Sequence, residues 1–411
     1  MQLSAAGPWH ARRSCGVTAA GSLSLAARAL AEVPMLLAAE VAFAQTQQPR
    51  PRTVAPQQQA LQQQQAQRLR FNQDALILAA SRPGTSYLAM ATDLVAAGGA
   101  GGSLRVLPIA ASGGLANLQD LLFLRGVDMA IVPANVLVHA KATNAFGGSL
   151  SQRVAYVTVL YGEEVHVLVG RDIASLDALR GKRIAVPPED GTAQFTASDI
   201  FQRLGVSVES VVMEPVDALE GVRAGTLAAA VLVAGKPFPL VSGLPKDGSV
   251  RLLQLPFSAA LGEGYSPAVL MAEDYPALIP PGAIVETVAV SAVLLAKSDK
   301  TNDEAARRVA KHVPAVLDAI SKLAVSERHP KWKDVNLGAV LPGWSRVAAA
   351  EAWLIKAFEQ QKTQLQGHFD EFLRASKQAA PPGLSAAQRK KLFDEFQGWA
   401  RKSVTDRPDA K

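Results

Sequence analysis

Three short runs hold the residues that could do chemistry on a small solute. Arg82-Pro83-Gly84-Thr85-Ser86-Tyr87 puts a guanidinium, two aliphatic hydroxyls and a phenol in one loop. The hydroxyls and amides there could take a carboxylate, and Arg82 could pair with it through two nitrogens. The alternative for Thr85, Ser86 and Tyr87 is an ordinary capped helix start. Ser112-Gly113-Gly114 ends one apolar run and opens a helix that carries Asn117. Free N–H groups at such a start favour an anion or a carbonyl. The plainer alternative is a tight turn whose Asn117 merely caps the helix. Asp190-Gly191-Thr192 precedes another helix and could close over the same ligand, or Asp190 could serve only the helix dipole. Asn135, just after the apolar run Met129–Val132, completes the set of candidate binding residues.

A different chemistry is suggested by Glu163, Glu164 and His166, which look like an acid–base cluster. On an alternating strand, Glu164 and His166 share one face and Glu163 takes the other. A hinge salt bridge or a solvated face is therefore the preferred reading. Enzyme signatures are missing: there is no G-x-S-x-G elbow, no H-E-x-x-H and no phosphate-binding loop. The six histidines are scattered, and the single cysteine, Cys15, lies near the start of the chain. No catalytic residue, metal site or cofactor is expected.

The elements that must position these runs read as α/β. Leu107–Pro133 reads as strand, glycine turn, helix, glycine stop and buried strand, a βαβ unit. Open α/β sheets bind ligands in loops at the carboxyl ends of strands. A second copy of this plan lies near Arg183–Leu204, so two units facing each other suggest a two-lobed clamp. Ala75–Ala80, Val154–Val169, Ala229–Ala234 and Thr287–Ala296 read as further strands. Asn302–Leu323 reads as a helix that Pro314 should kink or divide. Val347–Gln378 reads as a long helix, and Ser385–Arg401 as an amphipathic one with Leu392, Phe393, Phe396 and Trp399 at helical spacing. Pro381-Pro382-Gly383 breaks the chain between them.

The net charge of +6 raises the question of nucleic acid. Arg50, Arg52, Arg68 and Arg70 belong to an N-terminal linker, and Arg389, Lys390, Lys391, Arg401 and Lys402 to the tail. The region between is close to neutral, so no nucleic-acid partner is expected. Arg12-Arg13, a small-apolar stretch and Ala42-Phe43-Ala44 fit an export signal with an A-x-A cleavage site, by a general or twin-arginine route. The Gln/Pro-rich run after it reads as disordered, with a glutamine-rich helix as the alternative. No later stretch is long and apolar enough to span a membrane.

Several motifs in one order resemble the TAXI-type solute-binding proteins of tripartite (TRAP) transporters. These are Val106–Leu118 with Ser112-Gly113-Gly114 and Asn117, Gly126–Val132, Leu160–His166, Leu176–Arg183, Asp190-Gly191-Thr192 and Ala234-Gly235-Lys236-Pro237. The resemblance implies an α/β, two-lobed periplasmic-binding-protein fold of type II-like build. Each lobe would be a mixed sheet flanked by helices, with a C-terminal helical extension. It implies a monomeric periplasmic receptor that captures a carboxylate or amino acid and delivers it to the transporter's membrane subunits. The expected organisation is signal peptide 1–44, disordered linker 45–73, lobe 1 over 74–168, lobe 2 over 169–262, a return to lobe 1 over 263–346, and the extension 347–411. Three pocket loops depart from the family pattern, at Arg82–Tyr87, Val132–Asn135 and Glu189–Thr192. A sensor or scaffold that kept the fold without serving transport is therefore the competing expectation.

Overall fold

A computed structural model describes residues 56–73, 75–99, 104–188, 193–301 and 304–375, with a few positions between 385 and 396. The expected signal peptide, residues 100–103, Asp190, Gly191, Thr192, Asn302, Pro381-Pro382-Gly383, Phe393 and Trp399 lie outside the described residues. The chain divides into two units, Met1–Gln64 and Gln65–Lys411. Helix α1 (Pro56–Gln73) runs from the first into the second. Over 56–73 it is the glutamine-rich helix given above as the alternative to a disordered linker. Its Gln, Ala, Leu and Arg residues are good helix formers, and Pro56 stands first, where a missing N–H costs nothing. Gln57–Gln67 are exposed, so the composition that argued against a core still holds.

The second unit begins with β1 (Ala75–Ala79), α2 (Ser86–Gly99), β2 (Arg105–Ile109), α3 (Gly114–Phe123), β3 (Met129–Pro133), α4 (Ala134–Ala142), α5 (Leu150–Arg153) and β4 (Val154–Val169). Then follow β5 (Arg183–Val186), α6 (Ala193–Arg203), β6 (Glu209–Val212), α7 (Pro215–Arg223), β7 (Ala229–Ala234), α8 (Pro239–Ser242), β8 (Arg251–Leu252) and β9 (Ser266–Met271). The chain closes with β10 (Ile284–Lys297), α9 (Glu304–Leu323) and α10 (Ala348–Ala375). Between β4 and β5 the chain makes a single 3-10 turn at Asp177–Leu179.

Strands run in the order β2-β1-β3-β10-β4-β7-β5-β6. β1 pairs in parallel with β2 and β3, and β5 with β6 and β7, so each end of the sheet is a parallel βαβ system. Strands β4 and β10 pair antiparallel along both halves and join them. Alternate residues of each strand feed opposite faces, as the pleat requires. In the first lobe, Leu76, Leu78, Met129 and Ile131 meet α2 and α9, while Ala79, Ala130 and Val132 meet α3 and α4. In the second, Ile184, Val186, Val165 and Val167 meet α6, and Ala185, Ala230 and Leu168 meet α7. Two sheet halves, each with helices on both faces, make two lobes. A long helical extension, α10, follows them.

The lobe borders differ from those expected. Val165 and Val167 of β4 already pack in the second lobe, and so do Leu270, Tyr275, Val288 and Val290. The chain crosses inside β4 and again inside β10, where Ser291 faces Gly162 and the pairing slips by the next registered pair. Such an irregularity twists and bends a strand pair locally. Pro314 does not divide α9, which is one helix. Val309, Val313, Val316, Leu317 and Ile320 hold both halves on the sheet, and this packing outweighs one missing hydrogen bond.

Candidate functional site

The carboxyl ends of β1, β5 and β7 meet the crossing strand β4 at a cavity of about 300 Å³ between the lobes. Ser81 to Tyr87 line it from the first lobe, and Pro187, Glu214, Ala234 and Phe238 from the second. Glu163 of β4 stands at the crossing itself. This is where an open α/β sheet offers loops rather than ladder to a ligand.

Arg82 reaches over the cleft: Nη2 donates to the Pro188 carbonyl at 3.3 Å. Its Nε is buried and has no hydrogen-bond partner among the described residues. A guanidinium N–H so placed is expensive to leave unmade, and an anionic acceptor would satisfy it best. Thr85 donates from Oγ1 to the Arg82 carbonyl at 2.8 Å and accepts from Leu88 N–H at 3.4 Å. It therefore lines the cavity while capping α2, the alternative weighed above. Gly84, with φ 87°, makes the turn that a side chain would strain. Tyr87 is buried and stands edge-on to Tyr161, their rings 6.4 Å apart. Burial, with the charges of Glu163 and Glu164 added, pushes the Tyr161 hydroxyl well above the ordinary phenol range.

The Ser112–Gly114 turn behaves differently from its expected role. Neither it nor Asn117 lines this cavity. Asn117 is fully buried; its Oδ1 accepts the Gly113 N–H at 3.0 Å, and its Nδ2 donates to the Ala80 carbonyl and, at 2.9 Å, to that of Ile131. The amide offered to an anion is thus used internally. Asn117 braces the end of β1 against β3. Gly113 and Gly114 have φ of 76° and 47°, which explains both glycines. Ser112 is exposed.

Asn135 is also buried, but it joins the lobes. Its Nδ2 donates to Thr196 Oγ1 at 2.9 Å and to Tyr265 OH at 3.1 Å. Tyr265 donates to Asp199 at 2.6 Å, and Asp199 pairs with Arg203 at 2.9 Å. Nearby, His139 of α4 meets Phe195 of α6 with ring centres 4.9 Å apart. These contacts clasp α4 to α6 beside the cavity. Gly264 is part of the clasp: a Cβ there would come within 2.8 Å of the Asn135 Cα.

The acidic strand resolves as its alternation implied. Glu164 accepts from Lys331 Nζ at 2.8 Å and from the Lys236 N–H at 2.8 Å. Lys331, buried, also meets Asp334 at 2.9 Å. Burial raises the Glu164 carboxyl, with Lys331 pulling the other way. This is the hinge salt bridge, and Gly235 leaves room for the Lys331 stem, which a Cβ would meet at 2.8 Å. His166 faces Tyr275 OH at 2.7 Å, and burial pushes its imidazole down to about 4. Glu163, on the other face, went unassigned to the site from sequence; its place opposite the β1 loop comes only from the crossing of β4. Ala234 was findable as the residue that ends a predicted strand. Phe238 and Glu214 carried no such signal.

The sequence matches the NMT1-like family over residues 77–343, well over half of the chain and every residue that lines the cavity. The chain belongs to the NMT1-like family. The narrower TAXI assignment is a matter for proposal. No curated protein matches the chain. Among solved structures, a protein from Bordetella bronchiseptica RB50 shares 17% identity, covering 70% of this chain and 83% of that one, with a TM-score of 0.40. The alkanesulfonate-binding protein SsuA from Xanthomonas axonopodis pv. citri, bound to MOPS, shares 16%, covering 75% and 95%, with a TM-score of 0.35. A TctC solute binding protein from Polaromonas shares 11%, covering 60% and 88%, with a TM-score of 0.35. Likenesses at this level carry no ligand over to an NMT1-like chain.

Proposed function

We propose that this NMT1-like protein is a periplasmic receptor of a TRAP-type transporter, binding a small carboxylate or amino acid between its lobes. The observation that carries the reading is Arg82, whose buried Nε points to an anionic partner in an interlobe cavity sized for a small solute. Ser86 and Tyr87 share that wall, and Asp190, Gly191 and Thr192, which precede α6 in the sequence, are the residues this reading assigns to contact from the second lobe. Export rests on the N-terminal signal pattern, and delivery to membrane subunits on the TAXI-like motif order. Binding rather than catalysis is favoured by family membership. Among the described residues no helix is long and apolar enough to cross a membrane.

The test is calorimetry and thermal-shift titration of the full chain with amino acids, monocarboxylates and dicarboxylates. A ligand bound with its concentration at 100 times Kd raises stability by about 2.7 kcal/mol, which a melting curve reads easily. Silence across the panel would remove the receptor reading. The sensor or scaffold reading is favoured by Asn135, an altered-loop residue spent on the interlobe clasp. Co-purification with a sensor protein, without transporter subunits, would support it.

A further inference from the structure

The interlobe cavity carries both signs of charge, and this bears on which solute it accepts. Arg82 lines it from the β1 loop and Glu163 from the crossing strand. Glu163 is only 6% exposed, so its carboxylate sits at a wall largely shielded from water. Glu214 adds a second carboxylate, at an exposed position. Tyr87 and Tyr161 stand beside this wall as an aromatic pair. The charge of Glu163 is felt there, since it helps hold the Tyr161 hydroxyl above its ordinary range.

A guanidinium with a buried N–H to satisfy suits one anionic group. A second anion on the same small molecule would lie against Glu163, where like charges repel strongly because little water screens them. An ammonium in that place would instead pair with the carboxylate, and a tyrosine face attracts such a cation. Resting on the receptor reading above, we infer that Glu163 is a specificity-determining residue: it selects solutes that carry an ammonium beside a single anionic group, and rejects dicarboxylates.

The experiment is isothermal titration of the full chain with propionate, alanine, β-alanine, succinate and propanesulfonate. The natural chain should bind an aminated acid at least about tenfold more tightly than succinate or propanesulfonate. In Glu163→Gln that ratio should fall by about tenfold or more, with propionate and succinate gaining. Glu163→Asp, which keeps the charge, should keep the order of preference, and it separates loss of charge from damage to β4. Succinate or propanesulfonate binding the natural chain as well as alanine would overturn the inference while leaving a solute receptor intact. An unchanged ratio in a folded Glu163→Gln protein would overturn it too. Binding of no member would overturn both the inference and the receptor reading.

Discussion

At the scale of single residues, burial decides most roles. His166 has its ionised form suppressed by burial, down to about 4 from the ordinary 6.5. The unfolded chain takes up this proton near 6.5 and the folded chain only near 4, so His166 costs stability progressively as pH falls between those values. The full cost is roughly 3 kcal/mol. The raised carboxyls of Glu164 and Asp128 act in the opposite direction in acid, so the comparison is between the natural chain and His166→Gln. The variant's denaturant stability should fall less between pH 6.5 and 4, and the His166 ring signals should titrate near 4 by NMR. Asn117→Ala would strand the Gly113 N–H and two carbonyls. We expect a loss of roughly 3 kcal/mol in denaturant unfolding, with any ligand affinity falling only as the β1 loop loosens. A change under 1 kcal/mol would show that Asn117 is not the brace described (roughly one ordinary hydrogen bond).

At the scale of elements, two devices join the lobes. The strands β4 and β10 carry the crossing, and the α4–α6 clasp sets how firmly the lobes meet. Asn135→Ala removes two interlobe hydrogen bonds at about 1 kcal/mol each. If closure is part of binding, affinity should weaken by about tenfold, mostly through faster release. Surface-plasmon kinetics would show this, and an unchanged off-rate would detach the clasp from binding. Gly264→Ala should act in the same way, because φ of 96° and the 2.8 Å approach to Asn135 both forbid a side chain. At the hinge, Lys331→Met leaves Glu164 buried without its cation, at a cost of roughly 3–5 kcal/mol. The double variant with Glu164→Gln should recover part of that in a chemical melt, and failure to recover would assign Lys331 to packing alone.

At the scale of the whole molecule, the extension begins inside the first lobe's core, where Ala350 of α10 is buried and Trp353 packs against it. Phe396, almost fully buried, meets Phe369 of α10 with ring centres 5.2 Å apart. Ile355 and Phe358 on the same helix are exposed. Deleting Ser385–Lys411 should cost about 1–2 kcal/mol of local packing and leave ligand titrations unchanged. A fall of many degrees in the melting temperature would make the tail part of the core.

The strands and most helices were legible because each has a period of its own. Alternation in Val154–Val169 and the glycine stops at Gly126 and Gly205 act over a few residues, so they can be read without the fold. The hinge salt bridge was partly legible for the same reason, since alternation alone put Glu164 and Glu163 on opposite faces. The α/β build in βαβ units was also readable, because each unit carries its own local pattern of apolar run, glycine turn and helix. What could not be read was which polar groups face one another. Asn117 and Asn135 look alike in sequence, each opening a helix after a strand; one turned into its own lobe and the other across to α6. Glu163 reached the cavity only because β4 crosses between lobes there. Such contacts join residues up to 130 positions apart, and no local period records them. Burial, partners and hence proton affinities are properties of that long-range packing, which the tertiary structure alone decides.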